Sequence, residues 1–409
     1  MLYDAYEFQK SLLAGASAMA NFGAGLLQNP ANPFAYMGGG TVLASALEVF
    51  AHASAPRGKP DFGLNHTTID GREVEVVEEV VLRKPFGQLK RFVRKGVEGV
   101  EGGPKLLIVA PMSGHYATLL RGTVERMLPS CDVHITDWRD AKLVPLSDGR
   151  FDLDDYVDYL VEFLEVMGPG AHMLAVCQPS VPAYAVAALM SADKHPCRPK
   201  TLTMMGGPVD TREAPTAVNL LATERPFAWF ERNVIASVPV TYPGAGRRVY
   251  PGFLQLAGFM TMNLGNHMIS HFELFKHLVQ GDGESADATM AFYDEYRAVC
   301  DMTAEFYLQT IDVVFQTHAL PKGELMHRGR RVDPGAITDV ALLAIEGERD
   351  DISGLGQTKA ALTLATALPD AMKQYHMAPS VGHYGIFNGS KWRTKIAPVV
   401  EQWIAAHSD

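Results

Sequence analysis

Three side chains far apart in the chain are suited to acyl transfer: the thiol of Cys177, the carboxylate of Asp350 and the imidazole of His383. A thiolate attacks carbonyl carbon, an imidazole takes and returns its proton, and a carboxylate orients the imidazole and stabilises its charged form. Cys177 lies in Ala175-Val176-Cys177-Gln178-Pro179-Ser180. Residues 171–176, short and mostly apolar after Gly168-Pro169-Gly170, predict a buried strand. The alanine-rich residues 181–190 predict a helix, with Pro179 and Pro182 tolerated in its first turn. At such a turn the thiol projects beyond the strand end, and the backbone N–H of Gln178 points at the same space, where it can hold an oxyanion. The helix N-terminus favours negative charge there. A buried cysteine packing as a small hydrophobe is the competing reading, so the partners must decide.

Residues 340–345 predict a second buried strand, running into Glu346-Gly347-Glu348-Arg349-Asp350-Asp351-Ile352. Either aspartate can serve as the acid, with Glu348 more remote; Asp350, the first after the turn, is chosen, leaving Asp351 to cap the next segment or face solvent. A strand-like stretch over 373–377 leads to Ser380-Val381-Gly382-His383-Tyr384-Gly385, a glycine-flanked loop before a helix expected over 392–407. Nucleophile, acid, histidine is the chain order of the α/β-hydrolase triad. The motif departs from G-x-S-x-G, with cysteine for serine and Ala175 and Pro179 in the glycine positions. His115, in Ser113-Gly114-His115-Tyr116, competes for the role of base. It follows a strand expected over 106–110, whose loop supplies the second oxyanion donor in this fold, so the Met112 and Ser113 backbone is assigned to the oxyanion hole beside Gln178. His115 then lines the site or packs at a helix start. Cys131, Cys197 and Cys300 lack metal-ligand spacing and read as structural; no metal or cofactor is expected.

The elements that position these residues read as an α/β fold, a mostly parallel central sheet flanked by helices with a largely helical cap insertion. Residues 1–60 form an N-terminal helical extension ending in the linker-like Ala55-Pro56-Arg57-Gly58-Lys59-Pro60. Residues 61–209 form the first part of the core, opening with a hairpin region between Thr67 and Val97 whose turns fall at Asp70-Gly71 and Pro85-Phe86-Gly87. The strand–helix alternation stops over 210–338, the cap, and resumes over 339–409. Most cap aromatics and methionines (Met260, Met262, Met268) build its own core, while some, Trp229 and Tyr293 being the candidates, line an apolar groove.

At 409 residues and 47% hydrophobic content the chain can bury a large core, and a net charge of −10 gives no basic footprint for nucleic acid. No apolar run reaches the roughly 18 residues of a spanning helix. The start of the chain lacks the basic-then-apolar layout of a secretory signal, and four unpatterned cysteines suit a reducing cytoplasm.

Over most of its length the sequence resembles the intracellular polyhydroxyalkanoate (polyhydroxybutyrate) depolymerases. The resemblance is carried by Met1-Leu2-Tyr3-Asp4-Ala5-Tyr6-Glu7, Ala110-Pro111-Met112-Ser113-Gly114-His115-Tyr116, Val176-Cys177-Gln178-Pro179 and Ala304-Glu305-Phe306-Tyr307-Leu308-Gln309-Thr310-Ile311. It is closest in Arg328-Gly329-Arg330-Arg331-Val332-Asp333-Pro334, Glu346 to Gly354 and Gly382-His383-Tyr384-Gly385-Ile386-Phe387. The resemblance implies a thiol-nucleophile esterase acting on stored poly(3-hydroxybutyrate), cytoplasmic and associated with its granules, with a Cys-Asp-His triad at Cys177, Asp350 and His383. It favours short-chain monomers. Coenzyme A is a conceivable acyl acceptor in place of water, and a homo-oligomer is compatible with the sequence. A synthase-like acyltransferase is the main alternative, although its G-x-C-x-G pattern is not matched around Cys177. A granule-coat protein without catalysis is the third reading.

Overall fold

Runs of apolar residues buried on both faces build the centre of the molecule, the pattern of a parallel sheet covered by helices on each side. The computed structural model describes residues 2–29, 31, 39–96, 103–262, 264–280 and 282–408. Its strands are β1 (His66–Ile69), β2 (Arg72–Lys84), β3 (Gly87–Lys95), β4 (Lys105–Val109), β5 (Asp132–Trp138), β6 (His172–Val176), β7 (Thr201–Met205), β8 (Ala236–Ser237), β9 (Arg248–Tyr250), β10 (Met302–Thr303), β11 (Met326–His327), β12 (Arg330–Arg331), β13 (Ala341–Gly347) and β14 (Lys373–Ala378). Nine of them form one sheet in the order β1-β2-β3-β5-β4-β6-β7-β13-β14. β1, β2 and β3 meander antiparallel into β5. All pairs from β5 to β14 are parallel.

Strand order dictates where a site can form. From β4 the chain crosses to β5 on one side; from β6, on the other side of β4, it crosses away to β7. Connections therefore diverge above the carboxyl ends of β4 and β6 and leave a crevice there, the switch point at which open α/β sheets bind ligands. In register, Val109 of β4 faces Ala175 of β6, and Val176 and Ile345 both face Met205 of β7. β4, β6 and β7 thus end within about one residue of one another, β13 runs two residues further to Gly347, and the loops after them share one rim.

The turn after β6 is held by hydrogen bonds that continue the ladder past the strand ends. Cys177 N–H donates to Met205 O at 2.7 Å, and Gly206 N–H donates to Ile345 O at 2.9 Å. Helix α5 begins at Ser180, so the chain reverses within three residues of β6 and Cys177 takes a left-handed φ of +65°. Gly207 makes room for this: a Cβ there would stand 1.9 Å from Ser180 Oγ.

As far as Thr310 the helices in chain order are α1 (Leu2–Gln28), α2 (Gly40–Ser54), α3 (Arg121–Met127), α4 (Leu153–Met167), α5 (Ser180–Ala192), α6 (Ala217–Glu224), α7 (Phe227–Asn233), α8 (Gly252–Met262), α9 (Leu264–Gln280), α10 (Gly283–Tyr296) and α11 (Ala304–Thr310). α4 starts with a capping box between Asp152 and Asp155. α6 to α11 stand between β7 and β13 as a cap, which also holds a small antiparallel sheet, β10-β9-β8, that the alternation of the sequence does not reveal. The helix expected over 392–407 is interrupted: a wide π-type segment, Trp392–Ile396, precedes Ala397–Ala406. Val97 of the expected hairpin region lies outside the described residues, as does the side chain of Met262.

The N-terminal helices pack on the cap. Tyr3 Oη donates to Asp301 Oδ2 at 2.5 Å, Tyr6 stacks on Phe253 of α8 at 3.9 Å, and Arg57, in the expected linker, donates to Asp294 of α10 at 2.6 Å. Gly207→Ala should lower unfolding free energy by about 1–3 kcal/mol, the cost of overpacking a closed site. Denaturant unfolding checks this, and an unchanged midpoint would contradict the close packing at the turn.

Candidate active site

Cys177, Asp350 and His383 come from the ends of three strands and meet above the β4/β6 crevice. β13 ends at Gly347, and the following turn (Asp350 N–H to Gly347 O, 3.2 Å) swings Asp350 inward. Its side chain is inaccessible to solvent. Oδ1 accepts the N–H groups of Ile352 and Ser353 at 2.9 and 2.8 Å, and Oδ2 meets His383 Nδ1 at 2.8 Å. Asp351 is exposed. Exposed Glu348 accepts the N–H of Ser380 at 2.6 Å, which steadies the loop that carries the histidine. Gly206, at φ +58°, lets the backbone approach the Asp350–His383 pair: a Cβ there would lie 3.2 Å from both Asp350 Oδ2 and His383 Cε1.

His383 is buried, and burial by itself would push its pKa down. The charges of Asp350 and Cys177, and hydrogen bonds to both, reverse this and hold it well above its ordinary 6.5. Because Nδ1 is taken by Asp350, Nε2 is the ring nitrogen turned toward sulfur. His115 differs: it is enclosed, burial pushes its pKa down to about 4, and its Nε2 lies 3.0 Å from Tyr296 O. A neutral, backbone-bound ring in the cavity wall is poorly suited to act as the base. Burial pushes the Cys131 thiol up to about 11 and Cys300 well above its usual range, as expected of unreactive packing cysteines. Among the described residues no group of His, Cys, Asp and Glu could hold a metal ion.

The expected oxyanion donors are adjacent but engaged. Met112 N–H donates to the Gln178 side-chain Oε1 at 3.3 Å, a long bond, while Gln178 Nε2 is buried without a hydrogen-bond partner. Cys177, Gln178, Met112, Ser113, His115 and His383 all face one cavity of about 680 Å³. That volume is within the range of about 300–1,000 Å³ usual for small-molecule sites. Its remaining wall is mostly apolar, with Phe230, Met302, Phe306 and Tyr307 from the cap and Tyr384 and Phe387 from the histidine loop.

Two sequence expectations need correction. Trp229 is not among the cavity-lining residues; it is half-buried against its neighbour Phe230, which takes the lining place, and under Arg225. Tyr293 is buried in an aromatic cluster with His271, Phe292 and Tyr296 rather than at the cavity wall. Met260 and Met268 are also absent from the lining, where Met302 stands instead. On short helices, adjacent aromatics such as Trp229 and Phe230 face different ways, and sequence type alone cannot say which turns inward.

Strand order, the sharp β6–α5 turn and the cap between β7 and β13 define an α/β-hydrolase. Within that class, residues 206–408 match the family model described as PHB de-polymerase C-terminus, which supports an ester hydrolase. Similar solved structures include the 2-hydroxy-6-oxo-6-phenylhexa-2,4-dienoate hydrolase of Rhodococcus sp. strain RHA1 (11% identity, TM-score 0.46, covering 81% of this chain and 99% of that one). The monoacylglycerol lipase of Paleococcus ferrophilus (10%, 0.45, 75% and 96%) and a thermophilic esterase of Thermogutta terrifontis (14%, 0.42, 84% and 98%) are others. The fold class rests on the topology above and not on these distant likenesses. No curated protein matches the chain.

A raised His383 pKa means that folding takes up a proton between the ordinary 6.5 and the raised value. Stability from this group is therefore full below about pH 6.5 and is lost as pH rises through the folded-state pKa. In Asp350→Asn the main raising charge is gone, so stability should fall less steeply from neutral to alkaline pH than in wild type. Denaturant melts across that range test this; parallel curves for the two proteins would exclude the charge pairing.

Proposed function

We propose that the protein hydrolyses ester bonds of stored poly(3-hydroxybutyrate), with Cys177 as nucleophile, His383 as general acid–base and Asp350 as its orienting carboxylate. The observation that carries this is the histidine held between a buried carboxylate and a thiol at the wall of an apolar cavity, in a chain whose C-terminal half matches the depolymerase family model.

In the first step the Cys177 thiol gives its proton to His383 Nε2 and sulfur attacks the ester carbonyl carbon. Charge on the carbonyl oxygen is met by the backbone N–H of Gln178 and that of Met112, whose present acceptor, Gln178 Oε1, is exchanged for the oxyanion. The carbon–oxygen bond breaks, the alkoxide takes the proton from His383, and a thioester remains on Cys177. Water then gives a proton to His383 as its oxygen adds to the thioester. The carbon–sulfur bond breaks, sulfur recovers the proton, and a 3-hydroxybutyrate acid or oligomer leaves. Among the described residues none that lines the cavity is Lys or Arg, which favours water over coenzyme A, whose phosphates would need cations.

Association with granules is supported by the outer face of the helical layer. On α1, Phe8, Leu12, Met19, Phe22 and Leu26 recur at helical spacing and are exposed, and Met268, Ile269 and Phe272 are exposed on α9. From Ser11 to Gln28 the helix carries no charged residue, which suits a neutral polyester better than anionic lipid, whose surface helices are rich in Lys and Arg. Among the described residues no helix is long and apolar enough to cross a membrane.

Wild type should release soluble 3-hydroxybutyrate or its oligomers from amorphous granules with or without coenzyme A. Cys177→Ala should lose more than about 10³-fold of that rate while keeping its melting temperature. Full activity in that variant would remove Cys177 as nucleophile, and acyl-CoA formed only with coenzyme A would replace hydrolysis with thiolysis. A double Met19→Glu, Phe22→Glu variant should co-sediment with granules several-fold less than wild type; equal sedimentation would exclude α1 as the contact.

A further inference from the structure

A single peptide links the strand of the nucleophile to the strand of the acid. In the Met205–Gly206 peptide the carbonyl takes the Cys177 N–H at 2.7 Å, and the N–H goes to Ile345 O at 2.9 Å. The next peptide, Gly206–Gly207, runs between the reacting groups. A Cβ on Gly206 would stand 3.2 Å from Asp350 Oδ2 and His383 Cε1, and one on Gly207 would stand 3.0 Å from Cys177 O. Any tilt of this dipeptide therefore moves the sulfur relative to the imidazole.

What opposes a tilt lies outside the triad. The Thr358 hydroxyl accepts Gly207 N–H at 2.8 Å and donates to Gly207 O at 3.0 Å, so it grips both backbone groups of that residue. Thr358 is held in turn by Glu346 of β13. The carboxylate accepts the N–H groups of Gly356, Thr358 and Lys359 at 2.9, 2.8 and 2.9 Å, and the Tyr375 hydroxyl of β14 at 2.8 Å. These donors offset the cost of burying a carboxylate that is only 1% exposed. Gln357 adds a second tie to the same connection: its O accepts Asp210 N–H at 3.1 Å, and its Nε2 donates to Glu213 O at 2.9 Å. Thr358 is fully buried, and neither it nor Glu346 lines the cavity.

We propose that Thr358, anchored by Glu346, is a positioning residue: by holding Gly207 it sets the separation of Cys177 from the Asp350–His383 pair. This rests on the hydrolase reading and adds to it the part outside the triad that fixes its geometry. Without the hydroxyl, Gly207 N–H is left buried and unpaired, and the peptide relieves that state by turning. A misplacement of about 1 Å at the reacting atoms can cost about 10²-fold in rate. Substrate binding is spared, because Thr358 does not touch the cavity.

The test starts from Thr358→Val, nearly isosteric, with Thr358→Ala as a second variant that also lacks the hydroxyl. On p-nitrophenyl butyrate each should lose at least about tenfold in kcat while KM stays within about twofold. Alkylation of Cys177 by iodoacetamide, followed on the Cys177 peptide by mass spectrometry, should slow about fivefold or more, since a displaced imidazole takes the thiol proton less readily. Thr358→Ser, which keeps the hydroxyl, should restore both rates. Tyr375→Phe, which removes one bond to Glu346 and leaves the grip on Gly207 intact, should match wild type. Unchanged rates in Thr358→Val, a KM that rises as kcat falls, or equal losses in Tyr375→Phe would each overturn the assignment. Failure of the hydrolase reading has a separate signature: wild type cleaves no ester, while alkylation of Cys177 still slows in Thr358→Val.

Discussion

The left-handed backbone at Cys177 is the constraint on which the site depends. A non-glycine residue in that conformation costs about 1–3 kcal/mol and persists only where its surroundings over-determine it. Here they do. The N–H of Cys177 is drawn to Met205 O, α5 is buried on nearly every side, and the β7–α6 connection passes the turn through two glycines that leave no Cβ in the way. Strain at one residue is thus balanced by packing across β6, β7 and α5, and the thiol projects from the sheet instead of folding into it. Relaxing the turn to ordinary helical or extended backbone would carry the sulfur away from His383.

Electrostatics in the cavity follow from that placement. Enclosing a histidine ordinarily favours its neutral form, as at His115, where the pKa falls to about 4. His383 is enclosed just as fully but has Asp350 on one nitrogen and Cys177 opposite the other, and the direction reverses. Two histidines facing one cavity are set apart by partner charge and not by exposure. The cost of burying Asp350 is offset by matching its two oxygens to the N–H groups of Ile352 and Ser353 and to the imidazole.

Legibility in the sequence tracked the range of the interaction involved. β4, β6, β13 and β14 fall within two residues of expectation, because short runs bounded by glycine, proline or acids are local signals. Cys177, Asp350 and His383 could be proposed together because strand ends and chain order constrain them, and the fold brings them within contact. The cap was another matter. Trp229 and Tyr293 were chosen for being large and aromatic, yet lining falls to Phe230, Tyr307 and Met302, since facing is decided by helix packing over long sequence separations.

The N-terminal extension and the cap also need to be understood as one layer. α8 contributes Gln255, Gly258 and Thr261 to the cavity wall, and its first turn is fastened at both ends of a short chain of contacts. Gly252 N–H donates to Asp301 Oδ1, whose other oxygen takes the Tyr3 hydroxyl, while Phe253 stacks beneath Tyr6. Asp301 is buried, and burial followed by the neighbouring charge of Asp140 raises its pKa to about 6. A carboxylate so placed is kept only by holding its partners, and those partners are the beginning of α1 and the beginning of α8. The helix that presents an apolar face to the outside is therefore mechanically continuous with the helix that lines the cavity. Loosening either Tyr3 or Asp301 therefore removes a tie between the start of α1 and the start of α8, and with it one support of the cavity wall.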